Sequence, residues 1–310
     1  MKFEIFAAYG RHRPIPKYAL GALEQLPLEI INLVLTQLDI RSLTDFRRVN
    51  QRALQVVDSI PQYKAIIKHA PASLRGIISI GNGRWISCQD LYEKLCTAEC
   101  ESCGDFGGYL YLIACRRVCF LCFTEKPDYL PLLRADAIRK FGLRHEHLTR
   151  LPAMKSVPGC YSPREIKVRT GLTLFDHDTA RQVGVAVHGT VSTMEQYSLQ
   201  MTFQRLERYQ SRKSQQTPGA GKSTPRRPRS EDEFDGRMSN PKRFVAIVRA
   251  PFLDARTGSS EWGSHCVACR PYHYNRPLHW RRKFTDKSFE DHIKECGEII
   301  DGKHVRQRAM

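Results

Sequence analysis

Six of the eleven cysteines in this 310-residue chain lie within residues 96–123. The closest pairs are Cys100 with Cys103 and Cys119 with Cys122, and fifteen residues separate the two pairs. Two residues between cysteines let a tight turn direct both sulfurs at one point, and two such pairs supply four ligands for tetrahedral zinc. The spacing therefore predicts that these four cysteines bind one zinc ion.

Four thiolates close the ligand shell of a zinc ion, so this site is expected to be structural and not catalytic. An alternative ligand set exists, because Cys96 and Cys115 each precede a member of the pairs by four residues. That set would consist of Cys96, Cys100, Cys115 and Cys119. Its wider gaps make it the less favoured choice.

A second metal-binding pattern lies near the C-terminus. Cys266 and Cys269 are again two residues apart, and His292 and Cys296 follow with a spacing of four. That spacing places His292 and Cys296 on one face of a helix, as in a zinc finger. Neighbouring histidines are alternative ligands, namely His265, His273 and His279. The expected cofactors are therefore two structural zinc ions.

A β-hairpin is expected to connect the first two cysteine pairs. Gly107 and Gly108 form a turn signal, and residues 109–113 are rich in β-prone side chains. The hairpin would return the second cysteine pair to the first, where zinc would hold it closed.

The charge of the chain indicates an acidic partner. Lys and Arg outnumber Asp and Glu by 49 to 32, which gives a formal net charge of +17. Nucleic acid and acidic protein both fit this charge. Basic and aromatic side chains alternate in residues 270–283, a mixture suited to nucleic-acid stacking or to an acidic protein surface. The segment around His292 and Cys296 carries several acidic residues, which disfavours contact with phosphate.

The compartment follows from the cysteines and from two missing signals. Glu4 interrupts the N-terminal apolar stretch, and no apolar run approaches the roughly 18 residues of a membrane span. We expect a cytoplasmic or nuclear protein without membrane contact, in which cysteines stay reduced and available to metal.

The composition changes sharply between residues 211 and 242, where apolar residues nearly disappear. Such a segment cannot bury enough surface to fold alone, which predicts a disordered basic linker. Residues 219–224 resemble a phosphate-binding loop, but Gln216 stands where its first glycine is required. We expect no nucleotide site there. Basic residues at 226–229 and 242–243 are suited to nuclear import.

The nearest approach to an acid-base cluster is Asp176, His177 and Asp178. Adjacent side chains rarely converge on one point, and no nucleophile accompanies them. The sequence therefore favours a protein that is not an enzyme.

Residues 22–66 predict three short helices. The first begins at Leu26 and Pro27, since proline suits the first helical turn. The second begins near Ser42, and the third includes Ala53 to Ile60. The apolar residues of the first helix cover more than one face: Leu28, Ile30, Ile31, Leu33, Val34, Leu35 and Leu38. A segment of this size is too small to be stable alone, so the surplus face must contact the rest of the chain or a partner.

This segment resembles an F-box. The matching pattern consists of Leu26, Pro27, Glu29, Ile30, Leu35, Leu38, Leu43, Val49, Asn50 and Arg52. The resemblance implies that the helices dock on a Skp-type adaptor within a cullin-based ubiquitin ligase. The adaptor-binding residues that it implies are Leu26, Pro27, Leu28, Glu29, Ile30, Leu35, Leu38, Leu43, Val49 and Asn50.

The region after the helices is similar to a segment of fungal F-box proteins. The similarity lies in residues 90–92, both cysteine pairs, residues 107–112, and shorter matches at 151–152, 158–159 and 249–252. It implies that this part of the chain recruits a protein substrate for ubiquitination.

These observations predict a helix-dominated α+β protein with five segments. They are a tail at 1–19, an F-box at 20–66, a cysteine-rich zinc module with a helical continuation at 67–210, the linker at 211–242, and a Cys-Cys-His-Cys zinc module at 243–310. The predicted function is that of an F-box substrate receptor, and the alternative is a nuclear zinc-finger protein that binds nucleic acid.

Overall fold

The computed structural model describes residues 17–161, 166–214, 227–228, 237–270 and 278–305. The N-terminal layer contains α1 (Leu28–Gln37), α2 (Ile40–Arg47), α3 (Gln51–Ser59), α4 (Pro61–His69) and α5 (Pro71–Ser79). The central part contains α6 (Cys88–Leu95), β1 (Tyr109–Tyr111), β2 (Arg116–Val118), α7 (Phe120–Glu125), β3 (Leu132–Leu133), α8 (Arg134–Phe141), α9 (His145–Leu148), β4 (Ala153–Lys155), β5 (Gly159–Tyr161), β6 (Ile166–Val168), β7 (Thr173–Phe175), α10 (His177–His188) and α11 (Val191–Ser214). The C-terminal part contains α12 (Pro241–Val245), β8 (Ile247–Arg249), β9 (Phe252–Leu253), β10 (Ser260–Glu261), β11 (Ser264–His265), β12 (Lys283–Phe284), α13 (Asp286–Cys296), β13 (Glu298–Ile300) and β14 (Lys303–Val305). The fold is helix-dominated α+β, as predicted.

The N-terminal helices differ from the prediction in two details. Helix α2 begins at Ile40, before Ser42, because the side chain of Asp39 accepts a hydrogen bond from the Ser42 amide at 2.9 Å and caps the helix. The predicted third helix, from Ala53 to Ile60, corresponds to α3, and a separate helix α4 begins at Pro61, since a residue before proline avoids the helical conformation and Ile60 is extended. The segment 20–66 therefore holds α1 to α3 and the start of α4.

The predicted hairpin is confirmed, but its turn lies elsewhere. Strands β1 and β2 pair antiparallel, with Tyr109 opposite Val118, and the turn between them is formed by residues 112–115. Gly107 and Gly108 lead into β1 instead. Gly107 is required for close packing, because a Cβ there would lie 2.6 Å from Cγ of Arg117.

One apolar core joins the N-terminal helices to residues 96–123, which we call the first cysteine region. It runs without interruption from Ile31 in α1 through Leu110 and Cys119 to Leu253. The Asn82 amide strengthens the junction by donating hydrogen bonds to the carbonyls of Leu112 and Ile113, each at 2.7 Å. The predicted boundary between residues 66 and 67 therefore does not coincide with a gap in packing.

The C-terminal boundary also differs from the prediction. Strand β8 pairs with β1 in a sheet of order β2-β1-β8, so residues after 243 complete the first cysteine region. Arg243 is fully buried and donates hydrogen bonds to the carbonyls of Phe123 and Lys126 at 2.8 and 2.6 Å. Its burial removes it from the basic cluster that we suggested for nuclear import. A unit that extends through Leu253 describes the packing better.

Two smaller cores complete the protein. Strands β3, β7 and β4 form a sheet that packs with α8, α10 and α11 around Phe141, Phe175 and Met194. Among the described residues, the last core consists of Cys266, Ala268 and Phe284, with Cys269 and Phe289 against it. The C-terminal part therefore has little apolar packing of its own.

The predicted linker lies mostly outside the described residues. Residues 211–214 form the end of α11, whereas 215–226 and 229–236 are not described, and the loop-like motif at 219–224 is among them. Among the helices that the structure describes, none combines the length and apolar character needed to cross a membrane.

Candidate metal centres and an exposed helical surface

The structure brings the four cysteines of the first pattern together. The ligand atoms of Cys100, Cys103, Cys119 and Cys122 all lie within 4.8 Å of one another. The sulfurs of Cys103 and Cys119 are 3.6 Å apart, a separation compatible with two sulfurs on one tetrahedral zinc ion. All four are free thiols, three of them buried. This cluster could hold one metal ion.

Local backbone geometry explains this convergence. Gly104 has a φ of 79° and donates its amide hydrogen to the Cys100 carbonyl at 2.9 Å, which closes the turn that carries the first pair. Cys119 precedes α7 as its N-cap, and its sulfur accepts a hydrogen bond from the Cys122 amide at 3.4 Å. This contact fixes the second cysteine pair at the start of α7.

The alternative set is not brought together in the structure. Cys115 is buried in the hairpin turn with a φ of 49°. Cys96 follows the end of α6, and burial raises the pKa of its thiol. Neither belongs to the group of converging ligand atoms.

The protonation of these thiols shows what a metal would change. The pKa of Cys100 is lowered because the side chains of Cys119 and Cys122 donate hydrogen bonds to it. Burial raises the pKa of Cys103 to about 12. Four thiolates within this distance require a compensating positive charge, which a divalent ion supplies.

The second cluster consists of Cys266, Cys269, His292 and His304. Nε2 of His304 lies 3.2 Å from the Cys266 sulfur and 3.4 Å from the Cys269 sulfur, and Nε2 of His292 lies 3.5 Å from the Cys269 sulfur. Two sulfurs and two imidazole nitrogens are a ligand set that zinc accepts. This cluster could also hold one metal ion.

His304 replaces the predicted Cys296 in this cluster. The Cys296 sulfur is 3.5 Å from Nδ1 of His292, whereas the opposite ring nitrogen, Nε2, faces the cluster. The helical spacing does place the two residues side by side, as predicted. Because they are adjacent, the sulfur contacts the ring at Nδ1, and Cys296 is not a member of the converging group.

A hairpin delivers His304, which the sequence analysis missed. Strands β13 and β14 pair through a turn at Asp301 and Gly302, both with positive φ. Nδ1 of His304 donates to the Gly297 carbonyl at 2.8 Å, which orients the ring so that Nε2 faces the two cysteines. Asp301 and Gly302 were the available sequence signal, since they indicate a turn that returns the chain past α13.

The other candidate histidines are placed outside this cluster. His265 lies on β11, where its Nδ1 donates to the Arg282 carbonyl at 3.1 Å. His279 begins a short 3-10 turn, and neither residue belongs to the converging group. His273 lies outside the described residues.

The residues at 176–178 have structural roles. Asp176 caps α10 by accepting a hydrogen bond from the Thr179 amide at 2.8 Å, and Asp178 pairs with Arg116 at 2.9 Å. His177 is buried with its ring edge-on to Phe141. The three side chains therefore serve different neighbours and do not converge.

Helix α1 presents an unusually apolar outer side. Ile31 and Leu35 are buried, whereas Leu33 and Val34 are 62% and 52% exposed. The exposed large apolar residues near this helix are Leu23, Leu26, Leu28, Ile30, Leu33, Val34 and Val49. Four of them lie on α1 itself, and a concentration of exposed apolar side chains on one helix is typical of an interaction site.

The ten residues implied as adaptor contacts divide into three groups. The exposed ones are Leu26, Pro27, Leu28, Glu29, Ile30 and Val49. Leu38 is half-buried, and Asn50 caps α3 through the Ala53 amide at 2.8 Å. Leu35 and Leu43 are only 4% and 1% exposed, because they pack in the shared core and cannot reach a partner. Leu33 and Val34 are exposed instead.

A helical layer with this surface, followed by two Cys/His clusters, defines an interaction protein with candidate metal centres. The family model described as F-box domain matches residues 23–65, and the chain therefore contains an F-box domain. F-box domains typically bind Skp-type adaptors in cullin ligase complexes, and F-box proteins are generally adaptors and not enzymes. No curated protein and no solved structure matches the chain.

Proposed function

We propose that this chain is a substrate receptor of a cullin-based ubiquitin ligase. The exposed apolar side of α1 and its flanking residues bind a Skp-type adaptor, and the rest of the chain presents a protein substrate. The observation that carries the proposal is the exposure of Leu33 and Val34 within the segment that matches the F-box domain. Burial of several such side chains provides a large part of the affinity of a typical interface.

Both clusters are proposed to hold zinc. Thiolate and imidazole ligands in four-membered sets select zinc among the common cellular metals, and a filled ligand shell leaves the ion without a site for catalysis. The proposed role of the metal is to stabilise parts of the fold that have thin cores. Elemental analysis of the purified chain should give two zinc ions. We place the protein in the cytoplasm or nucleus because such thiolate sites persist in reducing compartments.

The adaptor proposal is tested with a pair of double variants. Replacing Leu33 and Val34 together with Asp should abolish capture by a purified Skp-type adaptor, since charged groups would be buried in the interface. Replacing Leu199 and Phe203 on α11 with Asp is the matched control, because their exposures of 61% and 65% are similar. The control should bind normally.

Melting temperature and zinc content, measured on each variant, separate binding from folding. Both double variants should retain two zinc ions and an unchanged main transition. Failure of the wild-type chain to bind any Skp-type adaptor would refute the receptor function. Equal loss of binding in both double variants would show that α1 is not the adaptor site.

A role in nucleic-acid binding is the second candidate. It is favoured by the net charge of +17 and by arginines that stack on aromatic rings, such as Arg270 on Trp280 at 5.7 Å. Helix α13 opposes it, because Asp286, Glu290, Asp291 and Glu295 are all exposed. Salt-sensitive binding to generic DNA or RNA, without adaptor binding, would favour this second candidate.

A further inference from the structure

A cleft of about 760 Å³ lies where the first cysteine region meets the C-terminal part. Its floor is aromatic: the ring centroids of Tyr109 and Phe120 each lie 5.1 Å from that of Phe123, and Phe244 lies 5.4 Å from Phe123. The cleft is of the size that holds one or two large side chains. Its lining is therefore suited to an apolar or aromatic group.

Two arginines line the same cleft. The Arg281 guanidinium lies between the rings of Phe120 and Trp280, with its Cζ at 4.8 and 4.7 Å from their centroids. Its Nε is buried and has no hydrogen-bond partner among the described residues. Arg249 also lines the cleft and is exposed, with its Cζ 5.7 Å from the ring of Trp262.

Neither arginine forms an ion pair with a carboxylate of the described residues. Both guanidiniums act on one group: burial raises the pKa of Tyr109, and Arg249 and Arg281 oppose that rise. Lys283 adds to the positive charge nearby, and its pKa is lowered by burial and then by Arg249. An aromatic floor is thus combined with two guanidiniums that no carboxylate of the described residues pairs with.

On these grounds we propose that the cleft recognises an acidic segment of a protein substrate, with a large apolar side chain on the aromatic floor and carboxylates paired with Arg249 and Arg281. The planar guanidinium matches a carboxylate in two-point contact, and stacking holds it in position. This inference rests on the proposed receptor function and names the substrate class and the site.

A protein segment fits better than a nucleic acid. Single-stranded nucleic acid binds along an extended basic groove that follows its phosphates. Here the aromatic surface is a compact hollow lined by two arginines and not an extended groove. The charge complementarity therefore favours one anchored side chain flanked by carboxylates.

The test uses the full chain and a fluorescent peptide with a central phenylalanine flanked by aspartate and glutamate. We expect saturable binding that weakens with salt. Replacing the phenylalanine by alanine, or the acidic residues by lysine, should lower the affinity at least about tenfold, because each change removes one of the two contacts. Equal binding of all three peptides would refute the proposal.

Variants of the chain locate the site. Arg249→Glu and Arg281→Glu should each lower peptide affinity about tenfold or more. Arg281→Lys retains the charge without the planar contact, and it should also lower peptide affinity. It tests the same contact when Arg281→Glu does not fold. Arg84→Glu is the matched control, because Arg84 also stacks on a tryptophan, Trp85, at 5.3 Å and lies outside the cleft. Unchanged binding by folded Arg249→Glu would refute the site.

Further outcomes distinguish other occupants. A single-stranded oligonucleotide that displaces the peptide and depends on both arginines would assign the cleft to nucleic acid and overturn the proposal. The chain also contains an acidic stretch with one phenylalanine at residues 230–235. If the full chain binds peptide only after this stretch is replaced by glycine and serine, the occupant is the chain itself and the proposed partner is wrong.

Adaptor capture, measured in parallel, separates this inference from the receptor function. If the wild-type chain captures the adaptor but does not bind the peptide, the cleft proposal alone is refuted. If the wild-type chain binds the peptide but does not capture the adaptor, the receptor function is refuted. The cleft then remains a site for an acidic protein.

Discussion

The two Cys/His clusters use similar ligands in very different surroundings. The first, at Cys100 and Cys119, borders a core that extends from α1 to Leu253. The second is surrounded by short hairpins and by a core of three buried residues, Cys266, Ala268 and Phe284. A metal at the first cluster would add to an existing core, whereas a metal at the second would largely replace one. Two metal sites with similar ligands can therefore differ in how much they contribute to the stability of the fold around them.

The difference also appears in how each cluster is connected to the rest of the protein. The first is tied to the N-terminal helices by the core and by Asn82, so disturbance there should reach the F-box domain. The second depends on α13 and on the β13–β14 hairpin, which pack mainly on themselves. We therefore expect two units that differ in stability.

The largest expected effect comes from a ligand of the first cluster. Cys119→Ser should lower the midpoint temperature of the main cooperative transition by roughly 10 °C or more, because loss of one ligand weakens a metal that contributes directly to folding at the shared core. Cys269→Ser should leave that transition in place and remove one zinc ion. Thermal unfolding by circular dichroism, with elemental analysis, measures both. Equal damage by the two substitutions would show that the clusters belong to one cooperative unit.

A smaller effect is expected at Arg117, which joins distant parts of the first unit. Its buried guanidinium donates to the carbonyls of Lys94, Pro251 and Ala250 at 3.2, 2.8 and 3.3 Å. Arg117→Met should lower the free energy of unfolding by about 3 kcal/mol, because buried carbonyls lose their donors. The shift is measured by urea denaturation.

The control for that prediction is Arg256→Met. The Arg256 side chain is 95% exposed, so its replacement should change the free energy of unfolding by less than about 0.5 kcal/mol. Zinc content should remain two in both variants. A loss of the second zinc ion from Arg117→Met would contradict the separation of the two units.

The smallest effect on overall stability is expected at His304. His304→Ala should reduce the zinc content from two ions to one. It should change the free energy of unfolding in the main transition by less than about 1 kcal/mol. Cys296→Ala should retain two ions, because its sulfur contacts the outer Nδ1 of His292. Elemental analysis decides between them. The opposite result would restore Cys296 as the fourth ligand.

Local patterns predicted the parts of the protein that are built from neighbouring residues. The cysteine pairs, the β1–β2 hairpin and the F-box pattern each depend on spacings of a few residues. Such spacings determine geometry directly, through turns and helical faces. The position of the hairpin turn was wrong, because glycines mark close packing as well as turns.

Contacts between distant residues were not predictable in the same way. Arg117 reaches carbonyls more than a hundred positions away, and β8 joins β1 across the predicted linker. Leu35 and Leu43 fit the F-box pattern, but packing places both in the core. Residue type and spacing do not reveal which apolar residues are buried, since that depends on every element packed against them.

Amino-acid order alone therefore specified the chemistry of the candidate centres: four thiols in two pairs, a third pair with a helical histidine, and an apolar helix with a surplus face. Tertiary structure decided which residues belong to each ligand cluster and which apolar side chains are exposed. It brought His304 rather than Cys296 into the second group of converging ligand atoms, exposed Leu33 and Val34, and opened an aromatic cleft lined by Arg249 and Arg281. The physical reason is that bond geometry fixes the relative positions only of residues that are a few positions apart in the chain. The positions of side chains that are far apart in the chain are set by how the whole chain excludes water and fills space.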